Sequence, residues 1–234
     1  MLLDELKSLY TYQEPLNTTR FHKKSYVLGE EDYFVGINLP ELRLLVKKYH
    51  SEITNEEILD LLTHKIHEHR LFALLILSYQ MKSANLEKQK EIVNIYLSHL
   101  DYVNNWDLVD CSASNILGRY LYNVQDYSLL YELSLATNLW YKRVSIVATW
   151  YLIDKKELSI TLDIVDNLIL DSRDLIHKAC GWMLRELGKR DLETLTEYLE
   201  INYNIMPRTM LRYAIEKYPE DIRKRILKGD FLWR

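Results

Sequence analysis

Three short stretches carry side chains whose types and spacing suit chemistry on a cation beside a phosphate. In Asn104–Asn105–Trp106–Asp107–Leu108–Val109–Asp110, Trp106 and Asp110 stand four residues apart, so a helix puts both on one face. In Leu139–Trp140–Tyr141–Lys142–Arg143, an arginine follows two aromatics. In the run from Ile176 to Arg190, Trp182 and Arg185 share a face with Lys189 or Arg190, and Gly181 sits in mid-helix. An interior glycine costs about 1 kcal/mol relative to alanine, so close packing is expected there. An aromatic face attracts a cation, a carboxylate adds Coulomb attraction, and arginine grips phosphate with two hydrogen bonds. The DNA component with those properties is a purine alkylated at N3 or N7, whose base carries positive charge. Blander roles fit the same residues: an Asn cap with a packed Trp106 and a solvated Asp110, a surface Arg143 stacked on an aromatic, and a buried Trp182 beside a solvated basic stripe.

Other chemistries find no support. His64, His67 and His69 cluster, but on a charged helical stretch they read as solvated rather than as a zinc site. No nucleophile–histidine–acid arrangement can be argued, and neither glycine-rich phosphate-loop pattern occurs. Cys111 and Cys180 lie in apolar helical contexts and read as buried free thiols of a reducing compartment. No cofactor and no metal is expected.

The elements that must position these residues are helices. The 234 residues include only 6 Gly and 4 Pro, where average usage gives roughly 16 and 12. That shortage disfavours sandwiches, barrels and disordered chains. Apolar periodicity predicts helices near 1–10, 40–50, 55–63, 67–82, 85–100, 105–121, 127–137, 139–153, 156–169, 172–188, 191–203, 207–218 and 219–228. Leu2, Leu3, Leu6, Leu9 and Tyr10 form the apolar face of the first. Pro40 and Pro207 suit first turns, Thr54 with Glu57 makes a capping box, and Asp126 and Asp171 read as N-caps. Residues 11–38 show no helical period and read as a mostly irregular connection. The remaining helices pair at intervals of roughly 35–40 residues, as two-helix HEAT or armadillo repeats do. The expectation is an all-α, right-handed superhelix over residues 1–234, one domain, with the second helices of successive pairs lining one concave face. A single globular all-α domain is the competing architecture.

Charge and hydropathy set the partners. The formal net charge is −4 and the sequence pI about 6.0. Residues 1–141 hold 13 Lys and Arg against 19 Asp and Glu, and residues 142–234 hold 17 against 15. No 18-residue apolar run and no signal-like start occurs, so neither a membrane span nor export is expected, and the cytoplasm is the default.

At these residues the sequence resembles the AlkD-like DNA alkylation repair family. The matching stretches run in order along nearly the whole chain: 33–50, 67–79, 104–110, 139–149, 175–191 and 206–219. The resemblance implies a superhelix of HEAT-like repeats that holds double-stranded DNA as a monomer. It also implies excision of cationic alkylpurines without drawing the base into a pocket. By the resemblance, Trp106 and Trp182 are aromatic walls, Asp110 is the catalytic carboxylate and Arg143 holds a phosphate. Lys178, Arg185 and Arg212 would extend the DNA-binding stripe. One departure concerns residues 17–36, which hold Gly29 and the acidic run Glu30–Glu31–Asp32 where glycosylase members keep a second amphipathic helix. That stretch is more similar to the branch with an extended loop, whose members prefer branched DNA or excise poorly. Three functions therefore stand: an alkylpurine glycosylase, a catalytically silent DNA-structure binder, and a helical-repeat scaffold for protein partners.

Overall fold

The computed structural model describes residues 2–11 and 32–231. Its elements are fourteen α-helices among the described residues: α1 (Leu2–Ser8), α2 (Leu39–Tyr49), α3 (Asn55–Leu62), α4 (His67–Gln80), α5 (Leu86–Ser98), α6 (Trp106–Ala113), α7 (Arg119–Val124), α8 (Ser128–Leu135), α9 (Leu139–Asp154), α10 (Ser159–Leu168), α11 (Asp174–Gly188), α12 (Leu192–Asn202), α13 (Arg208–Ala214) and α14 (Glu220–Ile226). A π-helical turn, Ser114–Gly118, follows α6. The one β-type pairing among the described residues is an isolated parallel bridge between Tyr33 and Ile66.

Local chemistry explains most boundaries. Thr54 and Glu57 form the expected capping box at the start of α3. Asn38, Asn85, Asn105, Asn138 and Asp191 cap α2, α5, α6, α9 and α12 with side-chain oxygens. Asp126 acts one residue, and Asp171 two residues, earlier than a cap. Asp126 accepts from the Ser128 backbone N–H and Asp171 from that of Arg173, while Tyr127 and Arg173 occupy the cap positions themselves. Pro207 likewise precedes its helix instead of opening it. In α1, Leu2 and Leu6 are buried but Leu3 is half exposed, so its apolar face is narrower than the periodicity predicts.

The chain divides into two compact units, Met1–Ile116 and Leu117–Arg234. In the first, α4 is the hub and packs against α2, α3 and α6. Phe72, Leu74, Ile76 and Leu77 of α4 are buried to 1% exposure or less, as befits a helix apolar all round. In the second, α9 packs against α7, α8, α10 and α11, and α11 against α12 and α13 as well. First helices α8 and α10 make one layer and second helices α7, α9, α11 and α13 another, the arrangement of stacked two-helix repeats.

Gly181 answers the question that its position raises. A β-carbon there would lie 2.5 Å from the Met210 carbonyl oxygen and 2.5 Å from Tyr213 Cβ. Glycine is what lets α11 and α13 approach. Gly118 does the same for α9, where a β-carbon would meet the Ala148 carbonyl oxygen at 2.1 Å.

Candidate functional site

The first unit presents Trp106 and Asp110 on α6. Asn105 is 4% exposed and accepts from the Trp106 N–H at 2.8 Å, which fixes where the helix begins. Trp106 is the first helical residue and is 39% exposed, unusual for so large an apolar ring. Asp110 lies one turn further on and is half-buried. The sulfur of Cys111, next in sequence, donates to the Leu108 carbonyl. Burial, with Asp107 and Asp110 nearby, raises the Cys111 thiol well above its ordinary range. The π-turn begins four residues after Asp110, and such turns concentrate at functional sites.

Beneath this helix start lies a polar platform that the sequence reading misses. His67, Glu68, His69 and Arg70 are all 5% exposed or less, whereas the cluster reads as solvated from sequence. Each finds a specific partner. His67 Nε2 meets Asp107 Oδ2 at 2.7 Å, and its ring stacks on Phe34 with centroids 4.8 Å apart. The Glu68 carboxylate accepts from the backbone N–H groups of Val35 and Gly36, the latter at 2.8 Å. Arg70 donates to Asp32 at 2.7 Å, to Asn104 at 3.2 Å and to the His64 carbonyl at 2.8 Å. His69 shares a hydrogen bond with the Tyr10 hydroxyl at 2.7 Å, and burial, with His64 and Lys7 nearby, lowers it to about 4. The signal that marks this platform is the apolar run following it. A helix buried all round buries its first turn too, and polar groups there must be paired.

This platform also holds the described end of the irregular segment. Residues 32–38 run without helix, tied to α4 through Glu68, Arg70 and the Tyr33–Ile66 bridge. The greater part of the 11–38 connection, including Gly29 and Glu30–Glu31, lies outside the described residues.

The second unit presents Arg143 on α9 and Trp182 on α11. Arg143 is 5% exposed, and its guanidinium donates to the Leu175 carbonyl at 2.7 Å. It thus joins two second helices. Around it, Asp171 accepts from Lys142 at 2.9 Å and from Arg173 at 2.8 Å, and Arg173 reaches on to the Thr137 carbonyl. Burial pushes the Asp171 carboxyl up, but the Arg173 and Lys142 hydrogen bonds outweigh it and hold the group well below the usual carboxylate range. Trp182 is half-buried and meets Trp150 edge to face with centroids 5.1 Å apart. Trp150, which the sequence reading does not single out, stands seven residues beyond Arg143 on α9.

Of the expected DNA-contacting residues, Lys178 pairs with Asp174 and Arg185 with Glu216, so carboxylates already engage both. Arg212 is exposed. Cys180 is buried, and burial raises its thiol strongly. Among the described residues no cluster of three or more potential metal ligands occurs, and no helix is long and apolar enough to cross a membrane.

Comparison with known proteins agrees with this architecture. Several solved structures resemble the chain, among them the following three. One is described as "Predicted DNA alkylation repair enzyme from Enterococcus faecalis", with 18% identity over 81% of this chain and 90% of that one, at a TM-score of 0.64. AlkD2 from Streptococcus mutans shares 16% identity over 84% and 95% of the two chains, TM-score 0.58. The protein smu.31 from Streptococcus mutans UA159 shares 15% over 78% and 93%, TM-score 0.57. At such identities the likeness shows the all-α helical-repeat fold. No curated protein sequence matches. A family model of DNA alkylation repair enzymes, however, matches residues 2–218. That span takes in α1 through α13 and every residue singled out above, so the chain belongs to the DNA alkylation repair enzyme family.

Proposed function

We propose that this protein is a monofunctional glycosylase that hydrolyses the N-glycosidic bond of N3- or N7-alkylated purines in double-stranded DNA. The observation that carries the reading is the exposed Trp106 with Asp110 one turn along the same helix face, within a chain of this family. Alkylation leaves the purine cationic and a good leaving group. As the C1′–N bond breaks, its electron pair goes to the base, which departs neutral. Positive charge develops on the sugar, and the Asp110 carboxylate stabilises it. Water then adds to C1′ and gives up its proton to Asp110 or to solvent. In the first unit Trp106 stabilises the cation through its ring face; in the second, Trp182 serves as an aromatic wall and Arg143 holds a phosphate. No acid is needed for the leaving group and no base-flipping pocket is required. The protein acts as a cytoplasmic monomer without cofactor.

The test is release of 7-methylguanine or 3-methyladenine from methylated duplex. Asp110→Asn abolishes release and leaves duplex affinity nearly unchanged, because a carboxylate only repels phosphate. No release above background at micromolar wild-type enzyme refutes the glycosylase reading, and so does release retained by Asp110→Asn. A second reading, a DNA-structure binder without excision, draws on the ion pairs that occupy Lys178 and Arg185 and on the acidic total charge, which weaken a grip built on phosphate contacts. Tighter binding to branched than to linear duplex, with no base released, selects it.

A further inference from the structure

The basic side chains of the second unit differ in what they meet; Arg208, for one, lies over the Tyr203 ring and also donates to the Tyr203 hydroxyl and the Leu227 carbonyl. Lys142, Lys178, Arg185, Arg190 and Arg225 each meet a carboxylate. Arg119 and Lys155 form no ion pair among the described residues and rest on tyrosine rings instead. The Arg119 guanidinium carbon lies 4.8 Å from the centroid of Tyr151. The Lys155 ammonium lies 5.5 Å from Tyr151 and 5.9 Å from Tyr122. The two rings meet edge to face at 5.8 Å. Tyr122, Tyr151 and Arg119 are half-buried and Lys155 is exposed, so the cluster opens to solvent.

The fold builds this cluster deliberately close. Gly118 ends the π-turn and seats the start of α7 against the Ala148 carbonyl and Tyr151 Cβ. Arg119 is the next residue, and the contact sets it over Tyr151 on α9. Lys155 caps the end of α9, with its backbone N–H bonded to the Leu152 carbonyl. A cation at a helix C-terminus gains some energy from the dipole, which accounts for one lysine and not for an arginine at the start of another helix. Two cations backed by rings, unneutralised, at one solvent-facing place suit a polyanion. A ring leaves the outward N–H groups unspent, whereas a carboxylate uses them.

We infer that Arg119 and Lys155, seated on Tyr122 and Tyr151, form a second phosphate-holding site for the DNA backbone, separate from Arg143, Lys178, Arg185 and Arg212. The inference rests on DNA being the substrate. It makes the site a contributor to grip and not to lesion choice, since phosphates carry no information about the base.

The experiment compares the full chain with the Arg119→Gln/Lys155→Gln double variant, in which glutamine keeps most of each stem over the rings. Affinity for a labelled duplex is measured between 50 and 200 mM NaCl, with thermal unfolding to confirm the fold. The wild-type plot of log affinity against log salt is a straight line, and the variant's slope is shallower by about 1.8, two phosphates at about 0.9 each. The loss is equal for plain and methylated duplex. Lys155→Gln alone, at an exposed position, lowers the slope by about 0.9 and serves if the double variant does not fold. Equal slopes in folded variants overturn the inference and leave the DNA reading standing. A wild-type protein with no salt-dependent duplex binding overturns both. Displacement of DNA by polyglutamate as readily as by unlabelled duplex overturns the inference in favour of an acidic protein partner.

Discussion

Arg143→Ala separates two accounts of the arginine. If it only held a phosphate, its removal would weaken DNA binding and leave the fold alone. In the structure it is 5% exposed and donates to the Leu175 carbonyl at 2.7 Å. Losing a hydrogen bond from a charged donor costs about 1.5–3 kcal/mol. Losing two buried methylenes costs about 0.8 kcal/mol each. The Leu175 carbonyl lies within α11, so truncation leaves no stranded acceptor to add to the total. The sum is about 3–5 kcal/mol. For a chain of this size each kcal/mol moves the melting temperature by about 2–4 °C, so a fall on the order of 10 °C follows. DNA affinity falls too, by about 1–3 kcal/mol where a charged contact is lost. The assay is paired: differential scanning calorimetry of the free protein, and duplex titration at a temperature where both proteins are folded. A variant that loses DNA affinity with its melting temperature unchanged refutes the reasoning. Arg143 would then be a ligand contact alone, and the bond to Leu175 would contribute nothing to the fold.

Further perturbations follow from the packing and the platform. Gly181→Ala gains about 1 kcal/mol of helix propensity but forces a β-carbon to 2.5 Å from the Met210 carbonyl oxygen. Overpacking costs about 1–3 kcal/mol or more, and urea unfolding should show net destabilisation; a more stable variant refutes the close-approach account. Glu68→Ala strands the Val35 and Gly36 N–H groups, at about 1–3 kcal/mol for each one left unmade. Hydrogen exchange at those two amides should accelerate, and unchanged protection argues against the anchor. His69, lowered to about 4 in the folded chain from an ordinary 6.5, binds its proton less readily folded than unfolded. It therefore costs no stability near neutral pH, and stability is lost as pH falls from about 6.5 towards 4, on the order of 3 kcal/mol in all. In His69→Gln the difference in unfolding free energy between pH 7 and pH 4.5 should shrink; an unchanged difference assigns the acid sensitivity elsewhere.

Local rules made the helices legible and left the long-range pairings hidden. Thr54 and Glu57 announce α3 because a capping box is complete within four residues. The predicted helix over 139–153 appears as Leu139–Asp154, since its apolar period needs no knowledge of its neighbours. Trp106 and Asp110 share a face for the same reason: a helix fixes the geometry of residues four apart. The platform is different. Arg70 finds Asp32 and Asn104, more than thirty residues away on either side, and His67 finds Asp107, forty residues on. Nothing near residues 67–70 marks those partners, so a polar run reads as solvated when it is paired and buried. Arg143 escapes for the same reason, its acceptor being a backbone carbonyl on another helix. Gly181 shows the opposite case. A costly residue in mid-helix advertises a close approach, although only the structure names Met210 and Tyr213.

The two cysteines bear on how such a protein survives its own working conditions. Reagents that alkylate purine nitrogens also attack sulfur, and it is the thiolate that reacts. Burial, and for Cys111 two neighbouring carboxylates, hold both thiols protonated. Cys111 follows Asp110 in sequence on α6, and its sulfur donates to the Leu108 carbonyl. Asp110, proposed to stabilise the cationic sugar, thus also helps burial to keep the adjacent sulfur in its unreactive form.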